Sequence, residues 1–191
     1  MHTIYHTEAI VVRSESAGEA NKRIWLFTKE LGLVIATVQG VRKPSAKLQS
    51  HIMDYSVIQA DLIKGKSTWR LISAQVIDVP LQGKERTPLA RAYARTVGFL
   101  ERFLVGEGAH EELFDHILSA GEIVKGGADD ARMFDALSLW KILVLLGYIP
   151  VDNNDQELFS LPLADATKRL DDGRVKSLIK NATEAITYSH L

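Results

Sequence analysis

Apolar residues in the first eighty positions recur every second residue or in short β-branched runs. Those in the last hundred recur every third or fourth. Five segments of the front part read as strands: Glu8–Arg13, Ile24–Thr28, Leu33–Gln39, Tyr55–Ile63 and Thr68–Val79. The last two alternate apolar and polar positions, as a half-buried strand does. Turn residues separate them, at Glu30-Leu31-Gly32 and at Lys64-Gly65-Lys66-Ser67. Five short strands in this length predict a small antiparallel barrel, because closing the sheet leaves no exposed edge. An OB-fold suits the count, and an SH3-like barrel or a small sandwich would give the same pattern.

A polar, turn-rich stretch, Pro80–Pro88, ends this part. Thr87 followed by Pro88 is a helix start, a hydroxyl cap and then proline in the first turn. Helices are predicted over Leu89–Val105, Glu111–Lys125, Asp130–Leu146 and Arg174–Tyr188, the third strongly apolar and the others amphipathic. Gly126-Gly127 stops the second, and Gly147 with Pro150 beyond it stops the third. The chain therefore reads as α+β in two modules, a barrel over 1–80 and a helical bundle over 81–191.

The 191 residues are 46% hydrophobic and 25% charged, enough apolar material for packed cores. The longest apolar run, Ile142–Leu146, is far shorter than the roughly 18 residues of a membrane span. The N-terminal residues have neither the basic region nor the cleavage site of a secretory signal. No cysteine is present, which excludes disulfides and thiolate zinc sites and fits a reducing cytoplasm. The net charge of −1 divides unevenly: residues 1–80 carry ten Lys and Arg against seven Asp and Glu, and the rest carry thirteen against seventeen. A basic front and an acidic back suit modules that face different partners, although solvated surfaces vary by as much.

Little in the chain suggests bond chemistry. His110 and His116 are six apart, which does not place two ligands on one helix face, and the other histidines are scattered. No nucleophile elbow and no phosphate-binding Gly-rich loop is present. The pairs Asp129-Asp130 and Asp171-Asp172 fall at helix starts, where the helix dipole favours them. The expectation is a non-enzyme without metal or cofactor.

The basic residues say more. Arg42, Lys43 and Lys47 share one loop with Pro44 and Ser45, just after the second and third strand-like runs. A hairpin feeding a basic loop can grip a phosphate backbone, although Lys and Arg are also common at solvated loop tips. Lys22, Arg23, Lys64, Lys66 and Arg70 lie on other strands and turns and would add to a groove if the fold brought them together. Trp69, between Lys66 and Arg70, and Tyr55 are the aromatic candidates. An indole at 69 either stacks a base or covers an apolar face of the barrel.

Two stretches also have a family likeness. Residues 18–32 (GEANKRIWLFTKELG), followed by Gly40-Val41-Arg42-Lys43 and Lys47-Leu48, resemble the start of the RecO family of bacterial DNA-repair proteins. Leu139–Pro150 (LWKILVLLGYIP) resembles a segment of that family's C-terminal helical region. The likeness is strongest over 5–79 and 137–150. It implies an N-terminal OB-fold and a C-terminal helical domain. It implies binding of single- and double-stranded DNA, annealing of complementary strands, and action with RecR in loading the recombinase onto single strands coated by single-strand DNA-binding protein. It also implies recognition of the C-terminal tail of that coat protein, a role for which Lys141 and Trp140 are the candidate positions. Carried over by position, the DNA-contacting residues are Arg23, Arg42, Lys43 and Lys47. The implied location is cytoplasmic and nucleoid-associated. Many family members carry a four-cysteine zinc module after the Leu-Gly-Tyr turn. Here that place reads Val151-Asp152-Asn153-Asn154-Asp155, so a degenerate region around 151–165 is expected, with a short metal-free hairpin over Glu157–Leu161. A protein-interaction adaptor with weak DNA affinity is the competing expectation.

Overall fold

The computed structural model describes residues 3–19, 21–39, 52–66, 68–104, 106–127 and 130–188. Five strands, β1 (Ile4–Ala17), β2 (Asn21–Thr28), β3 (Gly32–Val38), β4 (Val57–Lys64) and β5 (Trp69–Asp78), close into a barrel in the order β1-β2-β3-β5-β4. β1 is long enough to serve both sides. Its first half, Ile4–Ile10, pairs with β4, and Ala9–Ala17 pairs with β2. A register shift between Val11 and Arg13 bends the strand where it passes from one partner to the other. Among the described strands only β3 and β5 run parallel, and they pair over two residues. This is the OB-fold barrel, so the three closures that alternation left open reduce to one.

Alternation decides what fills the barrel. On β3, Val34, Ala36 and Val38 point inward, while Ile35 and Thr37 point out. Ala9, Ala36, Ala60 and Ala74 are small enough for a narrow five-stranded interior, and Ile24, Leu26, Ile58, Leu62 and Leu71 fill the space between them. β2 is buried on both faces. Its outward residues are covered by the Arg13 guanidinium, 3.4 Å from the Trp25 ring centroid, and by Phe114, 5.5 Å from the Phe27 ring.

The chain divides into two compact units. One comprises 1–80 together with 104–114, and the other comprises 81–103 and 115–191. The segment 104–114, expected in the helical module, thus belongs with the barrel. The second unit is built from α1 (Pro88–Phe103), most of α2 (Glu111–Gly126), α3 (Ala131–Leu145), α4 (Gln156–Ser160), α5 (Leu163–Lys168) and α6 (Asp172–Tyr188). α3 is its centre, packed on α1, α5 and α6, with Phe134, Leu137, Trp140 and Leu143 fully buried. The helix ends follow the sequence signals. The Thr87 hydroxyl accepts the Ala90 N–H at 3.1 Å, and the Asp130 carboxylate accepts the Arg132 and Met133 N–H groups. Gly147, at φ 79°, closes α3. Its N–H donates to the Val144 carbonyl, and that of Tyr148 donates to Leu143.

Residues 156–160 form a helix, which corrects the expected hairpin over Glu157–Leu161. Two local features explain this. Asp152 accepts the Asn154 and Asp155 N–H groups in a turn that leads into α4. Downstream, Leu163, Ala166, Thr167 and Leu170 are buried at helical rather than alternating spacing.

Candidate nucleic-acid interface

Cross-strand register puts the described basic residues side by side on the barrel. Glu15 of β1 faces Arg23 of β2, Arg23 faces Thr37 of β3, and Thr37 faces Arg70 of β5. Residues directly opposite on neighbouring strands project to the same face. Ala36 and Ile24, one step away, point into the core, so Arg23, Thr37 and Arg70 point outward. Lys22, half-buried, pairs with Val38 one step further along. Lys66 is exposed in the turn between β4 and β5, four residues before Arg70. Thr37 Oγ1 donates to the Trp69 carbonyl at 3.2 Å and helps join the short parallel seam. Ile35 and Ile72 are exposed beside this row, 46% and 38% accessible.

Arg42, Lys43 and Lys47 lie outside the described residues. The chain leaves β3 at Val38, beside Lys22, and is described again at Ile52, which is buried in the barrel core. The segment that carries the three therefore departs from the same end of β3 as the Arg23–Thr37–Arg70 row.

The charges are partly compensated. Glu15 accepts from Arg13 at 2.9 Å through one oxygen and from Arg23 at 3.3 Å through the other. Arg70 makes no ion pair with another described residue. Among the described residues no group of three or more His, Asp and Glu could hold a metal ion. No described helix is long and apolar enough to cross a membrane.

Trp69 is a barrel residue, 5% exposed, with its ring edge-on to Tyr5 at 5.1 Å between centroids. Its indole N–H donates to Glu107 Oε1 at 2.8 Å, and the other oxygen of Glu107 accepts from Lys64 at 2.7 Å. Those two hydrogen bonds hold the Glu107 carboxyl below its ordinary pKa. Glu107 and Tyr5 gave no sequence signal, since Glu107 is 38 residues beyond Trp69. Tyr55 sits in the turn before β4 at φ 70°, with its N–H on the Val11 carbonyl.

In the second unit Trp140 is fully buried and Lys141 is 6% exposed. The Lys141 ammonium donates to the Leu161 carbonyl at 2.7 Å, and burial pushes its pKa down. Nearby, His116 is buried, and its pKa is pushed down to about 4 by desolvation first and by the Lys141 charge second.

Residues 1–79 match the family described as Recombination protein O N terminal. The likeness to RecO therefore holds across the whole barrel. It extends into the helical unit, at low to moderate identity. The chain is 30% identical over 157 residues to DNA repair protein RecO of Pelotomaculum thermopropionicum, covering 78% of this chain and 57% of that protein. It is 27% identical over 146 residues to DNA repair protein RecO of Dehalococcoides mccartyi, covering 76% and 57%. Over 64 residues it is 36% identical to DNA repair protein RecO of Desulfitobacterium hafniense, covering 34% and 23%. The chain thus spans less than three fifths of the length of these RecO proteins.

Proposed function

We propose that the chain binds DNA as a RecO-type recombination mediator, holding phosphate backbones on the outer face of β2, β3 and β5. The observation that carries this reading is the register that aligns Arg23, Thr37 and Arg70 at the end of β3 from which Arg42, Lys43 and Lys47 depart. Lys66 lies four residues before Arg70, and Lys22, opposite the inward-pointing Val38, lies on the other face of β2. Guanidinium and ammonium groups meet phosphate oxygens without reading sequence, so binding is sequence-tolerant, steeply salt-dependent and open to single and double strands. Annealing follows from the same chemistry, without bond making. The basic face neutralises two repelling backbones and leaves the base edges free to pair. Charge rather than stacking dominates, because Trp69 reaches a base only by giving up its place against Tyr5.

The partners of this reading are RecR and the C-terminal tail of single-strand DNA-binding protein, in loading the recombinase onto coated strands. A tail pocket that uses Lys141 and Trp140 requires the second unit to open locally, because both are buried. A cytoplasmic, nucleoid-associated location goes with this activity. The competing reading, a protein-interaction adaptor of weak DNA affinity, draws on the Arg23–Glu15 pair, which already occupies one cation of the row.

The test is fluorescence anisotropy of a labelled single strand of about 30 nucleotides, titrated at several salt concentrations. Tight, salt-steep binding is expected. The double variant Arg42→Ala, Lys43→Ala should bind more weakly and lower the salt slope by about 1.4, at roughly 0.7 per lost single-strand phosphate contact. Absence of binding at low salt leaves the adaptor reading, and unchanged affinity in the double variant removes those two residues from the site.

A further inference from the structure

Among the described residues, Glu107 brings a carboxylate from outside the barrel's strands onto Lys64 and Trp69, on either side of the β4–β5 turn. It reaches the barrel on a segment held at two further points. Gly32 and Glu107 form an antiparallel bridge, and the Gly108 N–H donates to the Leu31 carbonyl at 3.2 Å. Gly32 sits at φ 71°, and a Cβ there would collide with the Gly108 carbonyl, so only glycine allows this close approach. The carboxylate presented in this way accepts an ammonium through one oxygen and an indole N–H through the other. The same Lys64 ammonium lies 5.2 Å from the Trp69 ring centroid. Lys64 faces Trp69 across the β4–β5 ladder, and Trp69 precedes Arg70 of the outward row.

Stability alone does not explain the arrangement. The Lys64 and Glu107 side chains are 52% and 44% exposed, and surface ion pairs of that kind contribute little to folding. Two oxygens on one anionic group, each taking one donor, is also the way a phosphate meets a protein.

We propose that the Glu107 carboxylate is an internal stand-in for a nucleic-acid phosphate, occupying Lys64 and the Trp69 indole N–H until a strand displaces it. The inference rests on the DNA-binding reading above and names a regulatory contact of that site. Binding then exchanges one anion for another at Lys64, and the Trp69 indole changes acceptor when the strand arrives. The contact sets a threshold: weakly held strands leave Glu107 in place, and a strand engaged by Arg23 and Arg70 competes it away.

The test compares wild type, Glu107→Gln, Lys64→Gln and the double variant, with a labelled oligothymidylate of about 30 nucleotides titrated across salt concentrations. The glutamine oxygen still accepts the indole N–H, so the melting temperature should stay close to that of wild type. Glu107→Gln should tighten binding by about fivefold at low salt and steepen the salt slope by about 0.7, from one released lysine. Adding Lys64→Gln should remove the gain. In the unmodified protein, the Trp69 indole N–H resonance should shift as oligonucleotide is added, a readout that needs no variant other than Trp69→Phe for assignment. Wild-type binding with no change in Glu107→Gln, a gain that survives Lys64→Gln, or an unmoved indole resonance at saturation overturns this inference and leaves the DNA-binding reading standing. Failure of every form to bind at low salt overturns both.

Discussion

Lowering the pH should destabilise the helical unit through His116, and the size of the effect follows from its surroundings. The ring is buried, and its Nε2 has no hydrogen-bond partner among the described residues. A hydrogen bond with the Ser138 backbone favours the proton. Desolvation and the Lys141 charge oppose it more strongly, and the pKa falls from 6.5 to about 4. The folded state therefore holds neutral imidazole, and the unfolded chain takes up a proton as the pH drops below 6.5. Stability from this group is complete above pH 6.5 and is lost progressively down to about pH 4. At roughly 1.36 kcal/mol per unit, the full loss is about 3 kcal/mol, of which about 2 kcal/mol has gone by pH 5. The assay is thermal unfolding followed at 222 nm, at pH 7 and pH 5, on wild type and His116→Asn. The asparagine amide can keep the bond to the Ser138 backbone and cannot titrate. Wild type should lose about 4–8 °C more than the variant between the two pH values, at roughly 2–4 °C per kcal/mol for a chain of this size. Parallel losses in the two proteins would refute the reasoning, because the exposed carboxylates and the other histidines are common to both.

Two further predictions concern the packing within each unit. Gly32→Ala should destabilise the barrel by about 2 kcal/mol or more, since the residue must hold a positive φ and its Cβ meets the Gly108 carbonyl; a denaturant midpoint within error of wild type would count against that close approach. Asp130→Ala removes the side chain that accepts two amide N–H groups at the start of α3 and should cost about 1 kcal/mol, read from the urea midpoint at constant slope.

Much of the barrel was legible because alternation survives in its strands. Its limits were less so. β1 extends to Ile4–Ala17, well past the β-branched Glu8–Arg13, because its outer parts are polar positions recruited by partners on both sides. Continuous burial of Ile24–Thr28 hid the alternation of β2, whose outer face is covered by Arg13 and by the distant Phe114. The four longer helices carried signals at their ends, and three of them 3.6-residue periodicity, while α3 is apolar nearly all round. α4 and α5 are five and six residues long, too short for that periodicity to show, and their buried positions become readable only once α3 is there to pack against.

The interface divides in the same way. A loop rich in Arg and Lys is visible in a sequence, because proximity along the chain is proximity in space. The alignment of Arg23 with Arg70 is not, because 47 residues separate them and the register that joins them is set by a parallel seam of only two residue pairs. Trp69 shows the cost of reading charge pattern alone. Flanked by Lys66 and Arg70, it has the local signature of a base platform, yet its side chain belongs to the interior with Leu71, before the register shift that breaks the alternation of β5. What that position offers to the surface is an indole N–H, and a carboxylate already takes it. On the proposed DNA-binding reading, affinity is set less by how many cations the face carries than by which of them are already paired. Glu15 on Arg23 and Glu107 on Lys64 are the two contacts through which a single neutralising substitution should change binding.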